Sequence, residues 1–127
     1  MGRLASLQRK NEVEVMQFCF EKLGLNVVGQ VEEPGFLEGG DFFVAGQELC
    51  MLGVGLRTNL AAAEQLMLKD LFGTTRVAVV HDHFEQDQAR MHLDCVFNIL
   101  GRDCVVRSLS LPPSDERKTH THTHTNT

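Results

Sequence analysis

No stretch of this 127-residue chain approaches the ~20 consecutive apolar residues that a membrane-crossing helix needs. The N-terminal run MGRLASLQRKNEVEV has no apolar signal core, because Gln8 to Glu12 interrupt it with polar and charged side chains. Its Met1-Gly2 start with Ser6 fits only the short, common myristoylation pattern. The four cysteines (Cys19, Cys50, Cys95 and Cys104) include no CxxC pair, so they are expected to be reduced and mostly buried thiols. Basic residues are scattered rather than clustered, and the net charge is −5. Attraction to nucleic acid or to anionic membrane surfaces is therefore not expected, and a cytoplasmic location is.

What is present is an ordinary globular composition, with 43% hydrophobic and 23% charged residues. The length allows one small domain with a modest core. Val13, Met16, Phe20 and Leu23 recur at helical spacing, and Gly24 supplies a left-handed stop. Leu25 to Val31 reads as a strand, ended by Glu32-Glu33-Pro34-Gly35. Two apolar runs, Asp41 to Ala45 and Glu48 to Val54, flank Ala45-Gly46-Gln47 and suggest a hairpin. A second helix is expected from Thr58 or Asn59, with Leu60, Ala63, Met67 and Leu71 as its apolar stripe and Gly73 at its end. Arg76 to Val80, His92 to Leu100 and Cys104 to Arg107 read as further strands. Together these elements make a mixed α/β domain over residues 1–110. Residues 111–127 carry no apolar side chain after Leu111, and THTHTHTNT is low-complexity, so a disordered tail outside the fold is expected.

Three clusters carry chemistry. In Glu38-Gly39-Gly40-Asp41 the glycines allow a tight turn that brings a carboxylate close to a ligand, although a solvated turn entering a strand explains the same residues. Gly53-Val54-Gly55-Leu56-Arg57-Thr58-Asn59 joins strand to helix. Arg57 beside a helix N-terminus favours an anion, whereas a plain N-cap between glycines is the bland alternative. In Met91-His92-Leu93-Asp94, a strand would place His92 and Asp94 on one face, ready for acid–base work on a cationic group or merely exposed at an edge. A metal site is a competing reading, because His81, His83, Asp87, His92 and Asp94 crowd a short region. His120, His122 and His124 would bind metal only adventitiously.

Taken in order, GFLEGGDFF, GLRTN and HLDCVFN resemble the arginine deiminase, dimethylargininase and amidinotransferase group of guanidine-modifying enzymes. The resemblance covers about Gly24 to Ser108. It implies part of a five-bladed α/β propeller, the pentein fold, with about two ββαβ-like units. It further implies a guanidino substrate such as arginine and no cofactor. Asp41 and Asp94 would hold the planar guanidinium, whose N–H groups form a fixed fork. His92 would be the general acid and base, and Arg57 the anchor of the substrate carboxylate. Glu38 is read only as a support for the turn. The His92-Leu93-Asp94 spacing, with no room for an inserted helical region between Arg57 and His92, resembles an insertion-free arginine deiminase or dihydrolase that forms citrulline and ammonia. A dimethylargininase- or amidinotransferase-like member, or an inactive guanidinium-binding fragment, is the alternative.

The group's cysteine nucleophile lies well beyond the histidine strand, near the C-terminus. Cys104 falls in an apolar run where a buried thiol would be inert, and Cys95 should face away from His92 and Asp94 in a strand. The chain is therefore read as a fragment or degenerate paralogue without its nucleophile. Its open sheet edges would favour a homo-oligomer or a complementing chain.

Overall fold

The computed structural model describes residues 1–83, 87–108 and, as backbone, 121–125. Its centre is one ββαβ unit. Strand β1 (Phe42–Val44) pairs antiparallel with β2 (Leu49–Val54). Helix α2 (Leu60–Leu68) then carries the chain over to β3 (Arg76–His81), which lies parallel to β2. Antiparallel strands need only the short turn at Ala45–Gln47, whereas the parallel pair needs a crossover, and α2 provides it.

Alternation along the two central strands builds the core. Cys50 and Leu52 of β2 stand opposite Val77 and Val79 of β3, and all four are buried. They pack with Ala62, Ala63 and Leu66 of α2, together with Val31 and Phe72. Helix α2 starts where the sequence suggests: the Asn59 side chain caps it by accepting from the Ala62 amide. The chain leaves it through Asp70 at φ 50° and Gly73 at φ 68°. Of its expected stripe, Ala63 is buried and Met67 and Leu71 pack against the core, while Leu60 is exposed and Ala62 and Leu66 complete the buried face.

Helix α1 (Asn11–Lys22) and its left-handed Gly24 stop also match expectation. Its apolar side chains do not reach the core, and Val15, Phe18 and Leu23 are more than half exposed. The stretch 25–31, expected as a strand, has no partner strand among the described residues. It is tied instead to the N-terminus, where the Met1 amino group donates to the Gly29 carbonyl and the Val31 amide to the Met1 carbonyl. A strand is defined by the neighbour it bonds to, and here the backbone bonds run to a short irregular segment.

Two further corrections concern the second half. The expected strand from His92 to Leu100 divides into a 3-10 turn at Leu93–Cys95 and strand β4 at Phe97–Gly101. Strand β4 pairs with β5 (Cys104–Arg107) in a separate two-stranded sheet, so among the described residues the second of the two expected ββαβ-like units is only a hairpin. The tail, expected to lie outside the fold, contributes β6 (Thr121–Thr125), antiparallel to β3. Backbone pairing asks for free N–H and C=O groups and not for apolar side chains, and alternate β-branched threonines suit a strand. The remaining residues of the 111–127 segment lie outside the described ones. No helix among the described residues is long and apolar enough to cross a membrane.

Candidate active site

The site is assembled from three short segments: the 3-10 turn Gly39–Asp41 before β1, the loop between β2 and α2, and the 3-10 turn Leu93–Cys95 before β4. Three consecutive residues of the middle loop each bind a different part of Pro34 to Asp41. Asn59 accepts from the Phe36 amide at 3.0 Å and donates to the Pro34 carbonyl at 2.9 Å. Thr58, fully buried, donates to Asp41 Oδ2 at 2.6 Å and accepts from the Glu38 amide at 3.2 Å. The Arg57 guanidinium reaches Glu38 Oε1 at 3.5 Å. The Arg-Thr-Asn run therefore fixes the Glu38–Asp41 turn in place.

Glu38 is only 3% exposed and is the electrostatic centre of the cluster. Its Oε2 accepts from Arg9 Nη1 at 3.0 Å and lies 3.0 Å from His92 Nε2. Its Oε1 faces Arg57 and the Ala5 amide, the latter at 3.3 Å. A carboxylate only accepts, so the imidazole donates to it through Nε2. Sequence reasoning assigned Glu38 no more than a turn. The signal that could have found it was a carboxylate three residues before Asp41, in a loop that also receives an arginine.

Asp41 is buried and its two oxygens are both engaged: Oδ2 accepts from Thr58 and Oδ1 from the Leu93 amide at 2.8 Å. This second bond is the physical reason why His92–Cys95 forms a turn and not a strand. The Leu93 amide that a neighbouring strand would have used is held by a side chain. Burial raises the Asp41 pKa above the usual carboxylate value, opposed by these two hydrogen bonds and by nearby His92, while Asp94 adds to the rise. Asp41 thus lies beside His92 and Asp94, but its bonds brace the site from behind.

His92 and Asp94 do converge, by a route different from strand alternation. A Cβ on Gly40 would stand 2.8 Å from His92 Cγ and 2.8–2.9 Å from the two Asp94 oxygens. Only glycine leaves room there for the imidazole and the carboxylate together. Asp94 is exposed and His92 partly so, which presents both to solvent. Cys95 was expected on the opposite face. The 3-10 turn instead brings its Sγ to 3.6 Å from Asp94 Oδ1. Cys104 is exposed and not buried, as is Cys19, and of the four thiols only Cys50 is enclosed.

Arg57 is held by Glu38 and by Gln88 Oε1 at 2.9 Å, and its buried Nε has no hydrogen-bond partner among the described residues. The crowd of His81, His83 and Asp87 does not join His92 and Asp94 in one ligand group among the described residues. The His81 and His83 rings stack on each other at 5.6 Å.

Comparison with known proteins finds relatives for the chain. The family model described as arginine deiminase matches residues 1–125. The arginine deiminase of Halobacterium salinarum is 32% identical over 109 residues, an alignment covering 59% of this chain and 22% of that protein. Among solved structures, a cysteine-to-serine mutant of DDAH from Pseudomonas aeruginosa complexed with citrulline superimposes with a TM-score of 0.53 at 25% identity. That match covers 65% of this chain and 32% of that one. A dimethylarginine dimethylaminohydrolase adduct with 4-chloro-2-hydroxymethylpyridine gives a TM-score of 0.54 at 24% identity, covering 66% and 34%. The chain thus spans about a fifth of the length of its curated relative and about a third of each solved structure.

Proposed function

The chain belongs to the arginine deiminase family, and on that premise we propose that it carries the acid–base and guanidinium-binding part of a hydrolase converting arginine to citrulline and ammonia. The observation that supports this reading is the His92 ring held 3.0 Å from buried Glu38, with the Asp94 carboxylate beside it over Gly40. Asp94, exposed, is the carboxylate that accepts two N–H groups of the flat cation. Asp41, assigned the same role from the resemblance, acts in this reading mainly as a brace, because both its oxygens already accept hydrogen bonds.

His92 protonates the departing ammonia and then takes a proton from the water that releases citrulline. Glu38 is a positioning residue that orients the imidazole through the 3.0 Å contact with its Nε2. Arg57 binds the substrate carboxylate once it is released from Gln88. The thiolate that attacks the guanidinium carbon comes from polypeptide outside this sequence.

The test has two parts. Calorimetric titration with arginine should give binding to the chain, weakened at least tenfold by Asp94→Asn. A citrulline assay should give no product from the chain alone and product once a polypeptide carrying the remaining family sequence is added. Arginine binding indifferent to Asp94→Asn would remove the guanidinium site. Turnover by the chain alone, abolished in Cys95→Ser, would move the nucleophile into it.

A further inference from the structure

Cys95 has no part in the chemistry just described, yet it is drawn into the same turn as two groups that do. The donor atoms of His92, Asp94 and Cys95 all lie within 4.8 Å of one another. We propose that these three side chains form a binding site for a borderline-soft divalent transition metal such as zinc, open to solvent at its fourth position.

The backbone makes the site compact. His92 is extended at φ −131°, ψ 161°, and the 3-10 turn that follows is closed by the Cys95 amide donating to the His92 carbonyl at 3.2 Å. Around tetrahedral zinc, with bonds of about 2.0–2.3 Å, ligand atoms stand roughly 3.3–3.8 Å apart. The contraction from 4.8 Å falls on the Asp94 and Cys95 side chains, which are both exposed.

The histidine is already arranged as a ligand. Its Nε2 faces Glu38 Oε2, so Nδ1 carries the lone pair. The His92 ring and the Asp94 carboxylate lie side by side over Gly40, whose added Cβ would stand 2.8 Å from His92 Cγ and 2.8–2.9 Å from the two Asp94 oxygens. A carboxylate behind a histidine fixes its tautomer and raises its basicity toward a metal, and Glu38 is itself held by Arg9 and Arg57. One nitrogen, one oxygen and one sulfur suit zinc or cobalt and not magnesium or calcium.

Binding exchanges the Cys95 S–H proton, now donated to Asp94, for the metal. A Zn–S bond forms, the S–H bond breaks and H⁺ leaves to solvent. The metal would occupy the imidazole nitrogen that a guanidino substrate needs.

Titration of the full chain with Co²⁺, read by its thiolate charge-transfer band in the near ultraviolet, tests this without arginine or citrulline, so its result is independent of the hydrolase reading. A single-thiolate band is expected, displaced by Zn²⁺ and unaffected by Mg²⁺. It should vanish in Cys95→Ser, persist in Cys19→Ser and Cys104→Ser, and need at least tenfold more metal in Asp94→Asn. Far-UV circular dichroism of each variant verifies the fold. Histidines of the tail give no thiolate band, so a wild-type titration without one, or a band surviving in Cys95→Ser, would overturn the site.

Discussion

Glu38 and His92 stand 54 residues apart in the sequence and 3.0 Å apart in the fold, carboxylate oxygen to ring nitrogen. The carboxylate is almost fully enclosed, while the imidazole keeps 18% of its side chain in solvent. A buried anion thus holds a partly exposed base, with Arg9 and Arg57 completing its charge balance.

Truncating that anion should be costly. Glu38→Ala removes the acceptor of two arginines, the Ala5 amide and His92 at once. Breaking a buried pair on one side costs about 3–5 kcal/mol. The unfolding free energy from urea titration should therefore fall by about 3 kcal/mol. A loss below about 1 kcal/mol would mean that solvent replaces these partners.

Thr58 connects the two carboxylate-bearing residues of the first turn. Thr58→Val keeps the shape but leaves the Glu38 amide and Asp41 Oδ2 without this hydroxyl. An unsatisfied buried polar group costs about 1–3 kcal/mol. A destabilisation of about 2 kcal/mol is expected by denaturant unfolding, whereas Thr58→Ser should retain most of the stability.

The two glycines of the first turn should behave oppositely. Alanine at Gly40 would press its Cβ to 2.8 Å from His92 and Asp94, while alanine at Gly39 meets nothing within 4 Å. Gly40→Ala should weaken arginine binding at least tenfold in calorimetry with the helical circular dichroism preserved. Gly39→Ala should bind as the parent does.

Asp41 makes a pH signature. Its folded pKa is raised by burial above 3.8, so the folded chain binds the Asp41 proton more tightly than the unfolded chain does. The stability this contributes is fully present below the unfolded value and is lost as pH rises through the folded value. Asp41→Asn cannot ionise. The stability of the parent relative to Asp41→Asn should therefore decline as pH increases from about 3.8, measured by thermal melts at several pH values. A constant difference would place the ionised carboxylate in a well-solvated site.

Elements whose signal is local were readable from the sequence. Helix α1 and its Gly24 stop, the Ala45–Gln47 hairpin, Asn59 as the cap of α2, and β3 all follow from periodicity, capping and turn chemistry. The motifs also led to the expectation that His92 and Asp94 lie together, and their donor atoms stand within 4.8 Å of each other. Tertiary structure decided the rest, because it depends on partners distant in the chain. The Asp41 carboxylate captured the Leu93 amide and turned an expected strand into a 3-10 turn, which moved Cys95 to the side of Asp94. Glu38 changed from a turn residue into the partner of His92 once Arg57 and Arg9 surrounded it. Among the described residues the stretch 25–31 has no strand beside it, while the polar Thr121–Thr125 segment has one. Side-chain pattern is written locally, but a hydrogen bond needs a second group, and only the folded chain specifies which group arrives.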